Sequence, residues 1–187
     1  DLAVITGVRS DGKGAQVRHV AGFENSPPSS EAVEMRGIDY GLPEIDLPPE
    51  WGNTARVPVI RSKLHGHRGI SSYDPSLVEF IPLPPAYYHY PVSCATEAQA
   101  TGIIQAFARS ETFNNPEDPR LVAFTILPGH GVVIAEKWIH GKAPFEAIWE
   151  LMDSGALQVD NRIPQGPLSY FPDKGGRYIL DESVLTL

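Results

Sequence analysis

The chain has 187 residues, 42% of them hydrophobic, and carries 15 basic against 23 acidic side chains, which gives a formal charge of −8. This length fits one domain with a hydrophobic core, and the negative charge disfavours nucleic acid and anionic membranes as partners. The single cysteine excludes an internal disulfide framework. The sequence shows no leader pattern near Asp1 and no apolar run of the ~18–20 residues that cross a bilayer. We therefore expect a soluble cytoplasmic protein.

Proline and glycine, with 18 and 17 residues, interrupt the chain too often for helices of ordinary length and favour short strands joined by turns. Residues 1–54 are interpreted as an N-terminal hairpin around Asp11-Gly12 and an extended arm. The arm is expected to be held by its apolar side chains, namely Met35, Tyr40, Leu42 and Trp51. Residues 55–162 are predicted to form the core and residues 163–187 a tail that wraps it, all within a single domain.

Short apolar segments bounded by Gly, Pro or Asn predict the strands of the core. They are Ala55–Ser62, Leu77–Leu83, Gly102–Arg109, Leu121–Leu127, Gly131–Ile139 and Ala156–Asp160. The segment Cys94–Ala108 fits a helix in its first half and either state in its second, for which we take a strand. Phe145–Met152 fits a helix or a strand equally. Strands at this spacing are typical of a sandwich or a small barrel, so we expect a mainly β, jelly-roll-like barrel with few short helices.

Four of the six histidines flank predicted strands that would be neighbours in a barrel, and imidazole can bind metal or move protons near neutral pH. They are His65, His67, His130 and His140. The H-x-H spacing of His65 and His67 puts two side chains on one face of a strand, as a metal-binding barrel would need. The alternative is a loop pair that binds nothing, and no metal is preferred.

The segment from Gly131 to His140 is predicted to form a pocket wall. Alternation puts Glu136, Trp138 and His140 on one face, where Trp138 would supply an apolar surface and the other two would need partners or a ligand. Alternatively, His140 ends the strand and faces water. His130, in a glycine-flanked turn, is expected at the edge of the pocket.

Glu79 interrupts the apolar run Leu77–Ile81, and a carboxylate in such a run is costly to bury unless it is paired or used. Arg61, which ends a predicted strand together with Lys63, is a candidate partner and is suited to binding a carboxylate substrate. The alternative is an ordinary ion pair or a charge that protects a sheet edge.

Cys94 lies at a predicted helix start, where the helix dipole stabilises a thiolate. With His130 or His140 it would form the cysteine–histidine pair of an amidase or deamidase, whereas most lone cysteines are buried as small hydrophobic residues. Phosphate-binding glycine loops, C-x-x-C zinc motifs and G-x-S-x-G elbows are absent from the sequence. Their absence excludes most nucleotide-dependent and serine-hydrolase functions.

Three segments, Asp118–Phe124, Gly129–Val133 and Trp138–His140, resemble in order and spacing the motifs of the ureidoglycolate lyase family of cupin-like proteins. Shorter matches at Ile60-Arg61, Val78–Pro82 and Gln158–Asn161 extend the resemblance to about residues 57–161. The chain departs from the family's pattern at three positions. Glu79 stands where the family has a glutamine, Ile139 where it has a histidine and Asn161 where it has an arginine.

The resemblance implies a cupin-like fold, a homodimer and a carbon–nitrogen lyase that cleaves ureidoglycolate into glyoxylate and urea. Our leading hypothesis is a lyase, or a related enzyme, that acts on a small polar carboxylic acid by acid–base chemistry. Glu79 or His140 would move the proton and Arg61 with Lys63 would hold the carboxylate. His130 and Trp138 would line the pocket. The alternatives are a non-catalytic cupin-like module that binds a small molecule and the Cys94 amidase.

Overall fold

A computed structural model describes residues 3–8, 15–19, 38–39, 42–46, 56–84, 97–127, 130–160, 170–172 and 178–180. In chain order the elements are β1 Ala3–Val8, β2 Ala15–His19, β3 Glu44–Asp46, β4 Arg56–Pro58, β5 Ile60–Gly66, β6 Ile70–Tyr73, β7 Val78–Phe80, α1 Glu97–Phe107, α2 Glu111–Asn114, β8 Val122–Leu127, β9 Gly131–Lys137, α3 Glu146–Asp153, β10 Leu157–Val159, β11 Tyr170–Pro172 and β12 Tyr178–Leu180. The protein is therefore mainly β with few short helices, as predicted.

The largest sheet has four strands in the order β5-β9-β8-β7. β9 pairs antiparallel with both β5 and β8, whereas β7 runs parallel to β8. A parallel neighbour needs a crossover connection, and α1 and α2 lie in that connection. The other described strands form two-stranded sheets, so the strands described here do not close into a barrel. The expected jelly-roll barrel is thus not confirmed.

The central strands β8 and β9 are apolar along almost their whole length because both faces of the sheet are covered. On one face, called the α1 face, Ala123 and Val133 pack with Phe107 of α1. On the opposite face, called the α3 face, Phe124 and Ile134 pack with Ile148 of α3. The predicted strands Leu121–Leu127 and Gly131–Ile139 correspond to β8 and β9, and they end within two residues of them.

The predicted strand Gly102–Arg109 is wrong, because this segment belongs to helix α1. Ile103, Ala106 and Phe107 are fully buried and Gln99 is 5% exposed, which is the three- and four-residue spacing of one helical face. The five residues Ile103–Phe107 fit the helical period as well as the strand period. Only the burial pattern over the longer segment that begins at Gln99 distinguishes the two. Over Phe145–Met152 the helical alternative is confirmed by α3.

β1 pairs antiparallel with β2, with Ala3 opposite His19, while the predicted turn at Asp11-Gly12 lies outside the described residues. Of the expected anchors of the arm, Leu42 is buried against the α1 face, next to Ile38. The other three anchors lie outside the described residues: Met35, Tyr40 and Trp51. The longest described helix, α1, has 11 residues, and no helix in the described part of the chain could span a bilayer.

Two carboxylates of the sheet bind the first turns of helices. Glu136, 1% exposed, accepts hydrogen bonds from the backbone N–H groups of Phe145 (2.5 Å) and Ile148 (3.4 Å) at the start of α3. Phe145 has a φ of 68°, a left-handed conformation that is strained for a bulky residue, and its own side chain does not cap the helix. Glu136 therefore supplies the acceptor and negative charge that helix N-termini favour.

Glu79 has the equivalent role at α2. Its carboxylate accepts hydrogen bonds from the Ser110 hydroxyl (2.5 Å) and from the backbone N–H groups of Glu111 and Thr112 (both 3.0 Å). These contacts hold the short helix α2 against the parallel edge of the sheet.

Asp118 and Arg120 fix the segment that leads into β8. The Asp118 carboxylate accepts hydrogen bonds from the backbone N–H of Arg120 (2.9 Å) and from the Arg120 guanidinium (2.5 Å at the shortest). Lys137 of β9 donates to the Asp118 carbonyl oxygen at 3.1 Å. The side-chain hydrogen bond from Arg120 holds the pKa of Asp118 at about 2, below the usual 3.8.

We expect Asp118→Asn to lower the free energy of unfolding at neutral pH by about 1 kcal/mol, since the pair borders solvent. The folded-state pKa lies below the unfolded one, so this contribution is complete above about pH 4 and is lost as the pH falls towards about 2. Urea denaturation across this range checks the expectation, with the exposed Glu117→Gln as control. A difference between wild type and variant that does not depend on pH would contradict it.

Candidate metal centre

Three histidine rings meet at the edge of the sheet where β5 ends and β9 begins. The ring centroids are 5.1 Å apart for His65 and His67, 4.8 Å for His65 and His130, and 4.9 Å for His67 and His130. One ring nitrogen of each residue lies within 4.8 Å of those of the other two. Among the residues that the structure describes, no other three His, Cys, Asp or Glu side chains are close enough to hold a metal ion.

The pairing of β5 with β9 brings these residues together. His65 lies opposite Val133 and Gly66 opposite Val132, so the end of β5 is adjacent to the turn that precedes β9. That turn is closed by a hydrogen bond from the His130 N–H to the Leu127 carbonyl, at 2.9 Å. His130 therefore reaches the H-x-H segment across the sheet, although the two are far apart in the sequence.

Gly131 allows the two backbones to approach this closely. A Cβ atom at this position would lie 1.9 Å from the carbonyl oxygen of Gly66, a distance at which the two backbones would have to separate. At Gly66, by contrast, an added Cβ would meet nothing within 4 Å. The absence of a side chain at Gly131 thus permits the close approach of the two backbones that carry His130 and His67.

The hydrogen bond of His65 fixes the orientation of its ring. The Nδ1 atom lies 3.1 Å from the Val132 carbonyl oxygen, which can only accept, so Nδ1 carries the proton. In the neutral ring the lone pair is then on Nε2, an atom that is buried from solvent. A metal-ligating histidine is commonly held by such a bond from its other nitrogen to a carbonyl oxygen.

Gln99 of α1 contacts the same ring atom of His130, but with the opposite direction of donation. In this arrangement the Gln99 amide nitrogen donates and His130 Nδ1 accepts, so a ligand lone pair on Nε2 requires the amide to turn and present its oxygen. The amide nitrogen of Gln99 lies 2.7 Å from His130 Nδ1, and the two residues are only 5% and 7% exposed. Gln99 was not singled out from the sequence. The available signal was a glutamine four residues before Ile103, on the helical face that is buried.

The third histidine, His67, is exposed, and it opens the cluster to solvent. A cavity of about 450 Å³ borders the same end of β5 and is lined there by residues His65 to Arg68. Its walls Val132 and Ile134 lie on the α3 face, however, whereas the register puts the His65 side chain on the α1 face with Val133. Three protein ligands with an accessible remaining position are typical of catalytic zinc sites, whereas structural sites are closed by four protein ligands.

The predicted pocket residues Arg61, Trp138 and His140 lie at the other end of β9. The Arg61 guanidinium stacks on the Trp138 ring at 5.0 Å and donates to the carbonyl oxygens of Ile139 and Lys142. The Trp138 Nε1–H donates to the Pro58 carbonyl at 2.9 Å, and His140 is exposed. β9 has seven residues and spans about 20 Å, so His130 and His140 do not share one pocket.

Glu79 and Lys63 do not contact the histidine cluster either. The expected pair of Arg61 with Glu79 is not formed, because β5 and β7 are opposite edges of the sheet, about 14 Å apart. The Glu79 carboxylate binds α2, and Lys63 forms an ion pair with Asp39 at 2.6 Å. Cys94 lies outside the described residues.

Comparison of the chain with protein-family models, with curated proteins and with solved structures found no match. The resemblance to ureidoglycolate lyases therefore stays a prediction from short motifs.

We expect Gly131→Ala to lower the free energy of unfolding by roughly 1–3 kcal/mol, because the added methyl group forces the backbones of β5 and β9 apart. The matched control is Gly66→Ala, whose methyl group meets open space and which we expect to change stability by less than about 1 kcal/mol. Urea denaturation of both variants measures the difference. Equal changes in the free energy of unfolding for the two variants would show that stability does not depend on the close approach of the backbones at Gly131.

Proposed function

We propose that the chain is a metal-dependent enzyme in which His65, His67 and His130 bind one divalent cation, with Zn²⁺ as the first choice. The observation that supports this is the meeting of three imidazoles, from two distant segments, at ring separations of 4.8–5.1 Å. The His65 Nδ1–H donates to the Val132 carbonyl oxygen, as metal ligands commonly do, and Gln99 lies at His130 Nδ1, where a turned amide would accept in the same way.

The spacing of the nitrogens suits a tetrahedral ion after small movements. Zinc–nitrogen bonds of ~2.0–2.1 Å in tetrahedral geometry put ligating nitrogens about 3.4 Å apart. The present nitrogens lie within 4.8 Å of one another, so movements of about 1 Å bring them onto the ion. Rotation of the exposed His67 side chain supplies much of this adjustment.

The chemistry follows from the ligand set. Imidazole ligands suit Zn, Cu, Fe and Ni, and three neutral ones leave the charge of a divalent cation uncompensated. Such a cation lowers the pKa of a bound water to about 7 and polarises a carbonyl oxygen. The proposed reaction is therefore hydrolysis, or a lyase reaction in which a carbinolamine hydroxyl loses its proton, a carbonyl group forms as the C–N bond breaks, and the leaving nitrogen takes up a proton.

The motif resemblance implies a carbon–nitrogen lyase in a cupin-like domain. A metal-free acid–base site for this lyase, at Glu79 and His140, has less support than the histidine cluster. Glu79 already accepts three hydrogen bonds at α2, and His140 lies at the far end of β9. If the reaction is a lyase reaction on a small acid, the histidine cluster is a better place for it than Glu79 and His140.

We expect protein stripped with EDTA to bind one Zn²⁺ per chain, and His67→Ala or His130→Ala to weaken binding at least 100-fold, since each removes one of three ligands. His140→Ala is the matched control and retains the wild-type affinity, because His140 lies about 20 Å away along β9. Isothermal titration calorimetry measures the affinities. Proton competition for the imidazoles should weaken binding as the pH falls.

The same variants test catalysis. Zinc-loaded wild type should hydrolyse 4-nitrophenyl acetate with a rate that rises around pH ~7, and His67→Ala should not. Failure of the wild type to bind zinc would overturn the metal centre. Activity that survives in His67→Ala and is lost in His140→Ala would instead support the acid–base lyase.

We expect Gln99→Met to weaken zinc binding by about 10- to 100-fold, since the partner of His130 Nδ1 is lost. Gln99→Glu should retain or increase the affinity, because its carboxylate accepts a hydrogen bond from the Nδ1–H that His130 carries when its Nε2 binds the metal. In the native chain a half-turn of the Gln99 amide presents its oxygen in the same position. Equal affinities of the two variants would mean that Gln99 only fills space.

A further inference from the structure

An ion pair lies next to the histidine cluster on the α1 face of the sheet. Lys63 of β5 lies opposite Ala135 of β9. Two residues further along β5, His65 lies opposite Val133. Ala135 and Val133 both pack on the α1 face, and residues directly opposite each other in an antiparallel pair point to the same face. The Lys63 and His65 side chains therefore share this face, at positions about 7 Å apart along the strand.

Asp39, which precedes β3 in the chain, is a partner of Lys63. Its carboxylate oxygen lies 2.6 Å from the Lys63 ammonium nitrogen, and the two side chains are only 12% and 17% exposed. The residue before Asp39, Ile38, is fully buried in the core of the α1 face. Removing two charges from water costs free energy that their attraction often does not recover. A charged pair at this depth, beside a candidate metal centre, is therefore a candidate for a functional role.

The histidine cluster lies on the same side of the sheet as this pair. His130 contacts Gln99 of α1, and its ring lies 4.8 Å from the ring of His65. Helix α1 covers the α1 face, to which Lys63 and Asp39 also belong. A cation held by the rings and the Asp39 carboxylate would therefore be neighbours on this face.

Both reactions proposed for the metal centre need a group that moves one proton. In hydrolysis, water loses a proton as its oxygen bonds to the carbonyl carbon, and the leaving group gains a proton as its bond breaks. In the lyase reaction, the carbinolamine hydroxyl loses the proton and the leaving nitrogen gains it. The three histidines do not serve this purpose, because their lone pairs bind the cation. A carboxylate can accept such a proton and return it.

On the basis of the metal centre proposed above, we propose that Asp39 is the proton acceptor of this site. Its carboxylate takes the proton from the water or hydroxyl at the cation and returns it to the leaving group, so the carboxylate is regenerated in each turnover. Lys63 is a positioning residue, because its ammonium group fixes the carboxylate on the face that carries the histidines. The role depends on the cation, which makes the proton acidic enough to be transferred.

The test measures zinc affinity and the hydrolysis of two esters by the zinc-loaded chain. Asp39→Asn should retain the wild-type zinc affinity, because Asp39 is not a ligand. It should lower kcat for phenyl acetate about 100-fold, the lower end of typical acid–base contributions. The loss for 4-nitrophenyl acetate should be smaller, because 4-nitrophenolate leaves without taking up a proton.

The matched control is Asp118→Asn, since Asp118 is also a mostly buried carboxylate and is paired with the Arg120 guanidinium. Asp118 precedes β8 and does not belong to the proposed site, so this variant should retain kcat for both esters despite its lower stability. A loss of the same size in Asp118→Asn would mean that reduced stability lowers the rate, and it would overturn the role of Asp39.

The double variant Asp39→Asn, Lys63→Gln removes both charges, so it leaves no unpaired charge if the single variant does not fold. It should bind zinc with wild-type affinity and show the same loss of kcat. Wild-type kcat in a zinc-bound variant, equal losses for the two esters, or loss of zinc affinity together with activity would overturn the role of Asp39 and leave the metal centre standing. A wild type that binds no zinc, or that hydrolyses neither ester when zinc-loaded, would overturn the proposed function and this role with it.

Discussion

β9 is hydrogen-bonded on both edges, to β5 and to β8, and is covered on both faces, by α1 and by α3. A strand in this environment has no freedom to shift, because a slip by one residue would exchange the two buried faces. Its register therefore sets every neighbouring contact. Its first residue sets the approach to Gly66, and its Glu136 receives α3. The histidine cluster depends on the same register.

The charged residues of the sheet mostly have structural partners. Glu79 and Glu136 bind the N-termini of α2 and α3, Lys63 binds Asp39, and Arg61 binds carbonyl oxygens beyond β9. Each of these contacts compensates the cost of placing a charge beside apolar surface. Two of the clustered histidines also have such partners, His65 at the Val132 carbonyl and His130 at Gln99, while the three rings lie about 5 Å from one another.

The sequence predicted β8, β9 and the N-terminal hairpin, because runs of apolar residues between turns identify strands whatever their neighbours are. It did not distinguish helix from strand over Ile103–Phe107, where five residues fit both periods. The H-x-H pattern indicates His65 and His67 but not the third histidine beside them, because the pairing of β5 with β9 is a long-range property. The sequence predicts His130 at the edge of a pocket with His140, whereas the length of β9 separates the two.

The dependence of the cluster on the β5–β9 pair has a thermodynamic consequence. The histidines come from segments distant in the chain, so they are dispersed in the unfolded state and adjacent only in the native one. A cation that binds all three would close a long loop and stabilise the native state by an amount that grows with the free ion concentration. Metal supply and folding would then be linked equilibria, and the stability of the sheet would report the occupancy of the site.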